Sequence, residues 1–533
     1  MPVAEWKLTG PALLSHERGD PGFLGVSYTD NVDTRFDSGP RLGPLITTVD
    51  LSGASGTAAQ CPPYGLELSG PMNTVEFLYV LRGTKWGKVK VSDMTRVVEA
   101  STALGEAGTC IKRVKNVAGT SQIIVCMGST DYNCITTVAD AGSNDTHAVN
   151  SGGYTFRIVA DATPADTIVG LGKAAGSIEN VVAFLALTGS VVPSTGTWTT
   201  KNAIAGENLT FTGFALDGDA WIPGTNDGPV YSDANFNGSF RTLIPEIPLD
   251  ANNCAGMKSS SFLGVVIPLS MGLRAQRNIL SGGPIGTEVY RDNTSPVRGL
   301  TSAYEPGMRW DWCVKYNGTD SYLCAMGAPQ TSDWNWGSGA EVSYYPLAKF
   351  SAAVCNALKF IDKAGGRTLP TLVGGYGTTD AKGDMFWLSM GRTENEYEDT
   401  SYVYAASGSV FGTEMRRSPD KLKKILAVEF DAEDCTSTET ITVKFTYRDM
   451  HGVNRTETLG VANTNGFQQF VAPKDKPIVG WNPAIQVDFA RGGTTTLSPS
   501  IMQGRVRVYY EEELPKVDGA TLADKIKRLV GMA

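Results

Sequence analysis

The sequence predicts an all-β protein, with a β-propeller-like domain followed by a C-terminal antiparallel β-sandwich and a short terminal helix. Three observations carry this reading. Short apolar runs, each ended by Gly or Pro, recur through the middle of the chain. The chain has 60 glycines and 27 prolines in 533 residues, and such an excess suits many tight turns between short strands. Beyond residue 421 polar and apolar residues alternate with the period of a half-buried strand.

Residues 1–73 scatter isolated apolar residues among Gly, Pro, Asp and Ser, with Pro21-Gly22 and Pro62-Pro63 as punctuation. This reads as an extended N-terminal arm. Residues 74–420 form the propeller-like domain. Its runs are Phe77–Leu81, Ile123–Met127, Val181–Leu187, Phe211–Leu216, Phe262–Ile267, Tyr322–Met326 and Met385–Met390. Their mean spacing is about 50 residues, in the range of propeller blades, although the individual intervals are uneven. Runs this continuous are buried on both faces. A double β-sandwich gives a similar pattern. The segment Pro346 to Lys363 spaces Leu347, Phe350, Ala353, Val354, Ala357, Leu358 and Ile361 as a helix would, and a strand with a turn is the other reading.

Residues 421–515 hold the alternating segments Thr440–Tyr447, Ala484–Phe489 and Arg505–Tyr510. Between them lie turn signals at Asp449–Asn454 and Arg491–Thr494, so the segment reads as an antiparallel sandwich. In the last stretch, 516–533, Leu522, Ile526, Leu529 and Val530 share one face of a short helix.

The net charge is −9, which excludes a wholesale basic nucleic-acid binder. Nine cysteines without a CxxC argue against a zinc knuckle, and their odd count does not suit a secreted disulfide framework. They read as buried thiols. The opening residues lack a signal-peptide core, and no apolar stretch reaches the length of a membrane helix. Synthesis in a reducing cytoplasm is expected.

Candidate chemistry is sparse. Tyr231 to Phe240 resembles a degenerate Asp-box, a hairpin that is structural even in sialidases. A glycosidase needs two carboxylates ~5–10 Å apart, and nothing singles out a pair among Asp217, Asp219, Asp233, Asp311 and Asp333. Glu394, Glu396, Glu398 and Asp399 read as a solvated loop because the EF-hand pattern is missing. Gly170 to Gly176 lacks the Walker spacing and reads as a turn in a β protein. His16, His147 and His451 read as exposed loop residues, with no nucleophile elbow beside them. No catalytic residue, cofactor or metal site is therefore expected. Trp310, Trp312, Trp334 and Trp336 remain, as core packing, a partner interface or a sugar-stacking platform.

The C-terminal part carries a resemblance. Val471-Ala472-Pro473-Lys474, then Gln486 to Thr494, then Arg505 to Glu511 are similar to the terminal sandwich of propeller-type structural tail proteins of tailed bacteriophages, the tail nozzle or tail-tube components. About 90 residues carry it, and the rest resembles that family only in architecture. The resemblance implies a non-enzymatic virion protein that forms a ring, a hexamer, with neighbouring tail or connector proteins as partners and genomic DNA passing through on ejection. The net negative charge is compatible with that passage: acidic residues from the propeller are expected to line the channel, since negative walls repel phosphate. A host-glycan-binding tail protein and a virion-associated glycosidase are the alternatives.

Overall fold

A computed structural model describes residues 2–9, 24–49, 51, 65–70, 74–99, 107–115, 121–126, 132–136, 146–150, 154–162, 167–174, 181–186, 198–203, 209–217, 220–231, 241–242, 248–251, 253–260, 264–270, 272–276, 287–291, 297–302, 311–316, 319–327, 343–379, 382–391, 399 and 401–513. The described chain is nearly all strand and divides into two units. One comprises 1–44, 344–348 and 403–533, and the other comprises 45–343 and 349–402.

The described strands include seven four-stranded antiparallel sheets, which fall in the larger unit except for Tyr344–Ala348. In chain order they span 65–99, 110–150, 154–203, 211–242, 258–291, 297–350 and 354–389, the last completed by Thr47–Val49. The first strand of each sheet neighbours the first strand of the next. Val354–Ile361 of the seventh sheet returns to Gly65–Leu68 of the first, which closes a ring. This is a β-propeller arrangement. The latch is short: Thr47, Thr48 and Val49 lie opposite Trp387, Phe386 and Met385.

Local chemistry explains the sheets. Thr167–Ala174 buries its first six residues in succession, as a strand packed on both faces must. Val169 and Leu171 face one cluster with Trp221, while Ile168 faces another with Phe156. Phe77–Arg82 turns into Lys85–Lys90 through Gly83 and Thr84, and Gly83 has φ +53 as a two-residue hairpin turn requires.

The expected helix over Pro346 to Lys363 is two strands, Ser343–Phe350 and Val354–Ile361. The turn between them is fixed from outside. Asp320 Oδ1 accepts the Ala352 N–H at 2.8 Å. Ser321 Oγ donates to the Ala353 carbonyl at 2.7 Å and accepts the Cys355 N–H at 3.1 Å. A bulge between Cys355 and Ala357 then breaks the strand alternation, and the disturbed spacing imitates a helix.

In the smaller unit the described strands form a ten-stranded antiparallel sheet. Its main path runs Val3–Lys7, Arg505–Glu513, Leu422–Glu433, Ile478–Ala490, Ser407–Gly412 and Val26–Asp30. Thr440–Arg448 branches from Ile478–Ala490 and pairs onward with Asn454–Ala462, while Gly466–Val471 branches from Leu422–Glu433. Ile478–Ala490 changes partners along its length. Ile478–Gly480 pairs with Leu422–Glu433, whereas Ala484–Ala490 lies between Thr440–Arg448 and Ser407–Gly412. Thr440–Arg448 alternates as expected, with Ile441, Val443 and Phe445 buried. Trp6 meets Phe445 edge-on at 6.4 Å and donates from Nε1 to the Thr413 carbonyl at 3.0 Å.

The opening residues 1–73 are divided between the two units. Val3–Lys7 and Val26–Asp30 are sheet strands of the smaller unit, while Thr47–Val49 and Gly65–Leu68 belong to the propeller arrangement. The isolated apolar residues each fill a core position: Trp6, Leu8, Val26, Val32 and Leu42 are all buried. Ser407–Gly412 likewise belongs to the smaller unit, so that unit resumes at 403 rather than 421. The terminal helix expected within 516–533 lies outside the described residues.

Candidate functional site

Of the tryptophan group, Trp312 is only 2% exposed, on Asp311–Tyr316 opposite Ala325, so its ring is not a surface platform. Trp310, Trp334 and Trp336 lie outside the described residues. So do Glu394, Glu396 and Glu398, while Asp399 accepts the Ser401 N–H at 2.8 Å and serves a turn. Among the described residues no group of His, Cys, Asp and Glu could hold a metal ion.

Gly170 to Ala174 is strand rather than turn. A Cβ at Gly170 would strike the Phe156 ring, so packing is what requires glycine there. His147 is in the strand Thr146–Asn150 opposite Ile135, not in a loop. His451 sits in the hairpin turn after Arg448, its N–H held by Asp449 at 2.9 Å. Among the described residues the cysteines are free thiols, most of them buried.

Two features not read from the sequence stand out. The first is a charge cluster on the inner strands of the ring. Lys359 of the seventh sheet donates to Glu67 of the first at 2.8 Å, and Lys112 of the second lies 3.9 Å from the same carboxylate. Burial alone would raise the Glu67 pKa. The charges of Lys359 and Lys112, with hydrogen bonds from Lys359 and the Leu68 N–H, outweigh burial and hold it at about 2. Burial lowers the Lys359 pKa, against the pull of Glu67. A single carboxylate held ionised by two lysines is a poor proton donor at neutral pH. It joins three neighbouring inner strands where the ring closes.

The second feature is the outer edge of the smaller unit. Among the described residues Asn454–Ala462 pairs only with Thr440–Arg448, and Gly466–Val471 pairs only with Leu422–Glu433. The two strands follow each other in the chain and leave apolar side chains in solvent: Val461 at 49%, Phe467 at 63% and Val471 at 67% exposure. Gly466–Val471 carries no charged residue and no proline. The charges on Asn454–Ala462 are occupied, Arg455 with Asp449 at 3.0 Å and Glu457 with Lys476 at 3.4 Å. Free edges are normally blunted by charge, proline or a bulge; Asn454–Ala462 carries a bulge between Thr458 and Gly460, whereas Gly466–Val471 has none of the three. The arrangement suits strand addition or packing by a partner chain.

No protein-family model matches the chain, and no curated protein matches it.

Proposed function

We propose that the chain is a non-enzymatic structural protein of a bacteriophage tail, a nozzle or tail-tube component, whose copies assemble into a ring through which DNA passes. The observation that carries the assembly part is the uncharged free edge at Gly466–Val471, with Phe467 and Val471 exposed beside it. In this proposal a second copy of the chain covers that edge. Head-to-tail contacts between identical subunits generate closed rings when the rotation closes, and a hexamer is the size that the family resemblance implies. The propeller arrangement supports the reading, since the family that the chain resembles is of propeller type.

Antibody raised against the chain should label the tails of purified particles in immunogold electron microscopy. Particles carrying no label would remove the virion assignment.

A further inference from the structure

The smaller unit carries a cleft of about 1000 Å³ where Ile478–Ala490 changes partners. Trp481, Tyr447 and Asn482 line it, below the hairpin tip with Met450 and Gly452. Its volume is at the upper end of the range for small-molecule sites.

The backbone here is distorted in a defined way. Arg448 lies opposite Trp481 and Thr446 opposite Ala484, so two steps on one strand span three on the other. The extra residue makes a β-bulge at Asn482–Pro483, a device that re-aims side chains and is over-represented beside functional sites. Asn482 has φ +43, a conformation costly for a non-glycine residue and more so before proline. Its Oδ1 atom is buried and has no hydrogen-bond partner among the described residues. A buried acceptor without a donor is uncommon in a folded protein, and a ligand hydroxyl would satisfy it.

Two aromatic side chains also line the cleft. Trp481 is half-buried, and the Tyr447 ring lies against Gly480, where a Cβ would collide with it. The glycine thus permits the Tyr447 ring to pack onto the backbone.

Most charges on the cleft wall are engaged, and the Asp420 carboxylate also lines it. Arg448 donates to the Gly452 carbonyl at 3.0 Å. Arg455 pairs with Asp449, and Glu414 accepts from Arg416 at 3.2 Å. What remains for a ligand is two aromatic rings, the Asn482 amide, the polar side chains Thr446, Thr456 and Asn454, and the Asp420 carboxylate. An anionic ligand would face the Asp420 and Glu414 carboxylates, and an apolar one would leave Asn482 unsatisfied. A pyranose has an apolar C–H face for the rings and hydroxyls for the amides and hydroxyl groups.

We propose that this cleft is a saccharide-binding site for a neutral di- or oligosaccharide. The site does not use Gly466–Val471, the edge assigned to ring assembly, although Asn454 and Thr456 belong to the other edge strand. The test is a glycan array of neutral hexose and N-acetylhexosamine oligosaccharides probed with the full chain. The best ligand is then titrated and followed by tryptophan fluorescence. Asn482→Gly suits the positive φ and removes only the amide, so the fold is kept, and it should weaken binding ~5-fold or more. Trp481→Ala should weaken it ~10-fold or more by loss of stacking area. Absence of saturable binding across the array would overturn the proposal. So would binding that Asn482→Gly and Trp481→Ala both leave unchanged.

Discussion

Glu67 and Lys359 are 292 positions apart in the chain and meet at 2.8 Å between the first and last sheets of the propeller arrangement. The pair lies where the ring of inner strands closes, and Lys112 from the second sheet reaches the same carboxylate. Replacing one partner leaves the other charge buried. Glu67→Gln or Lys359→Met should each cost about 3 kcal/mol. The double replacement Glu67→Leu with Lys359→Met should cost less than either single change, because no charge is then stranded in the pair. Thermal unfolding of the three variants measures this, and additive losses would contradict it.

The same carboxylate sets a pH dependence. Its folded pKa, about 2, lies below its unfolded value, so its stabilisation is fully present above about pH 4.5. It is lost as the pH falls from there toward 2, and amounts to about 3 kcal/mol. Glu67→Gln should therefore show a shallower loss of stability between pH 4.5 and 2 than the parent. Parallel curves over that window would exclude the role given to Glu67.

The latch strand Thr47–Val49 supplies the outer strand of the seventh sheet from the far end of the unit's sequence. Thr48→Pro removes a backbone donor opposite Phe386 and forbids normal pairing, with a cost of about 3 kcal/mol. The variant should open the ring earliest at the latch. Proteolysis near residue 48 should therefore accelerate at temperatures where the parent resists.

At Gly172 an added Cβ would run into the Thr155 carbonyl oxygen of the adjacent strand. Backbone cannot give way as a side-chain tip can. Gly172→Ala should therefore destabilise by about 2 kcal/mol, measured by thermal unfolding. Gly366→Ala is a useful comparison, since nothing lies near its added Cβ and only its φ of +80 opposes the change.

The β architecture was legible in the sequence because its signal is burial. The seven apolar runs fall one to each four-stranded sheet. Their uneven spacing has a simple cause. Ile123–Met127 belongs largely to the second strand of its sheet, Val181–Leu187 to the third and Phe211–Leu216 to the first. The run marks an apolar strand of its sheet, and the position of that strand changes from sheet to sheet. The opening segment was misread because Trp6 and Val26 are isolated in sequence and pair with strands distant in the chain, Trp6 opposite Val506 in Arg505–Glu513 and Val26 opposite Gly412 in Ser407–Gly412. The helical reading after Pro346 failed because Asp320 and Ser321, on a different strand, dictate the turn. The candidate sites were less legible still. Glu67 and Lys359 carry no local signal, and Trp481-Asn482-Pro483 forms no motif until the bulge aims it into a cleft.

The central claim is assembly through the free edge of the smaller unit. The most direct test is light scattering of the purified full chain during size exclusion, beside the variant Phe467→Lys with Val471→Lys. The account predicts one closed species at a multiple of 56.8 kDa for the parent, and a folded monomer for the variant. A parent that stays monomeric at micromolar concentration, or an oligomer that the two lysines leave intact, would contradict it.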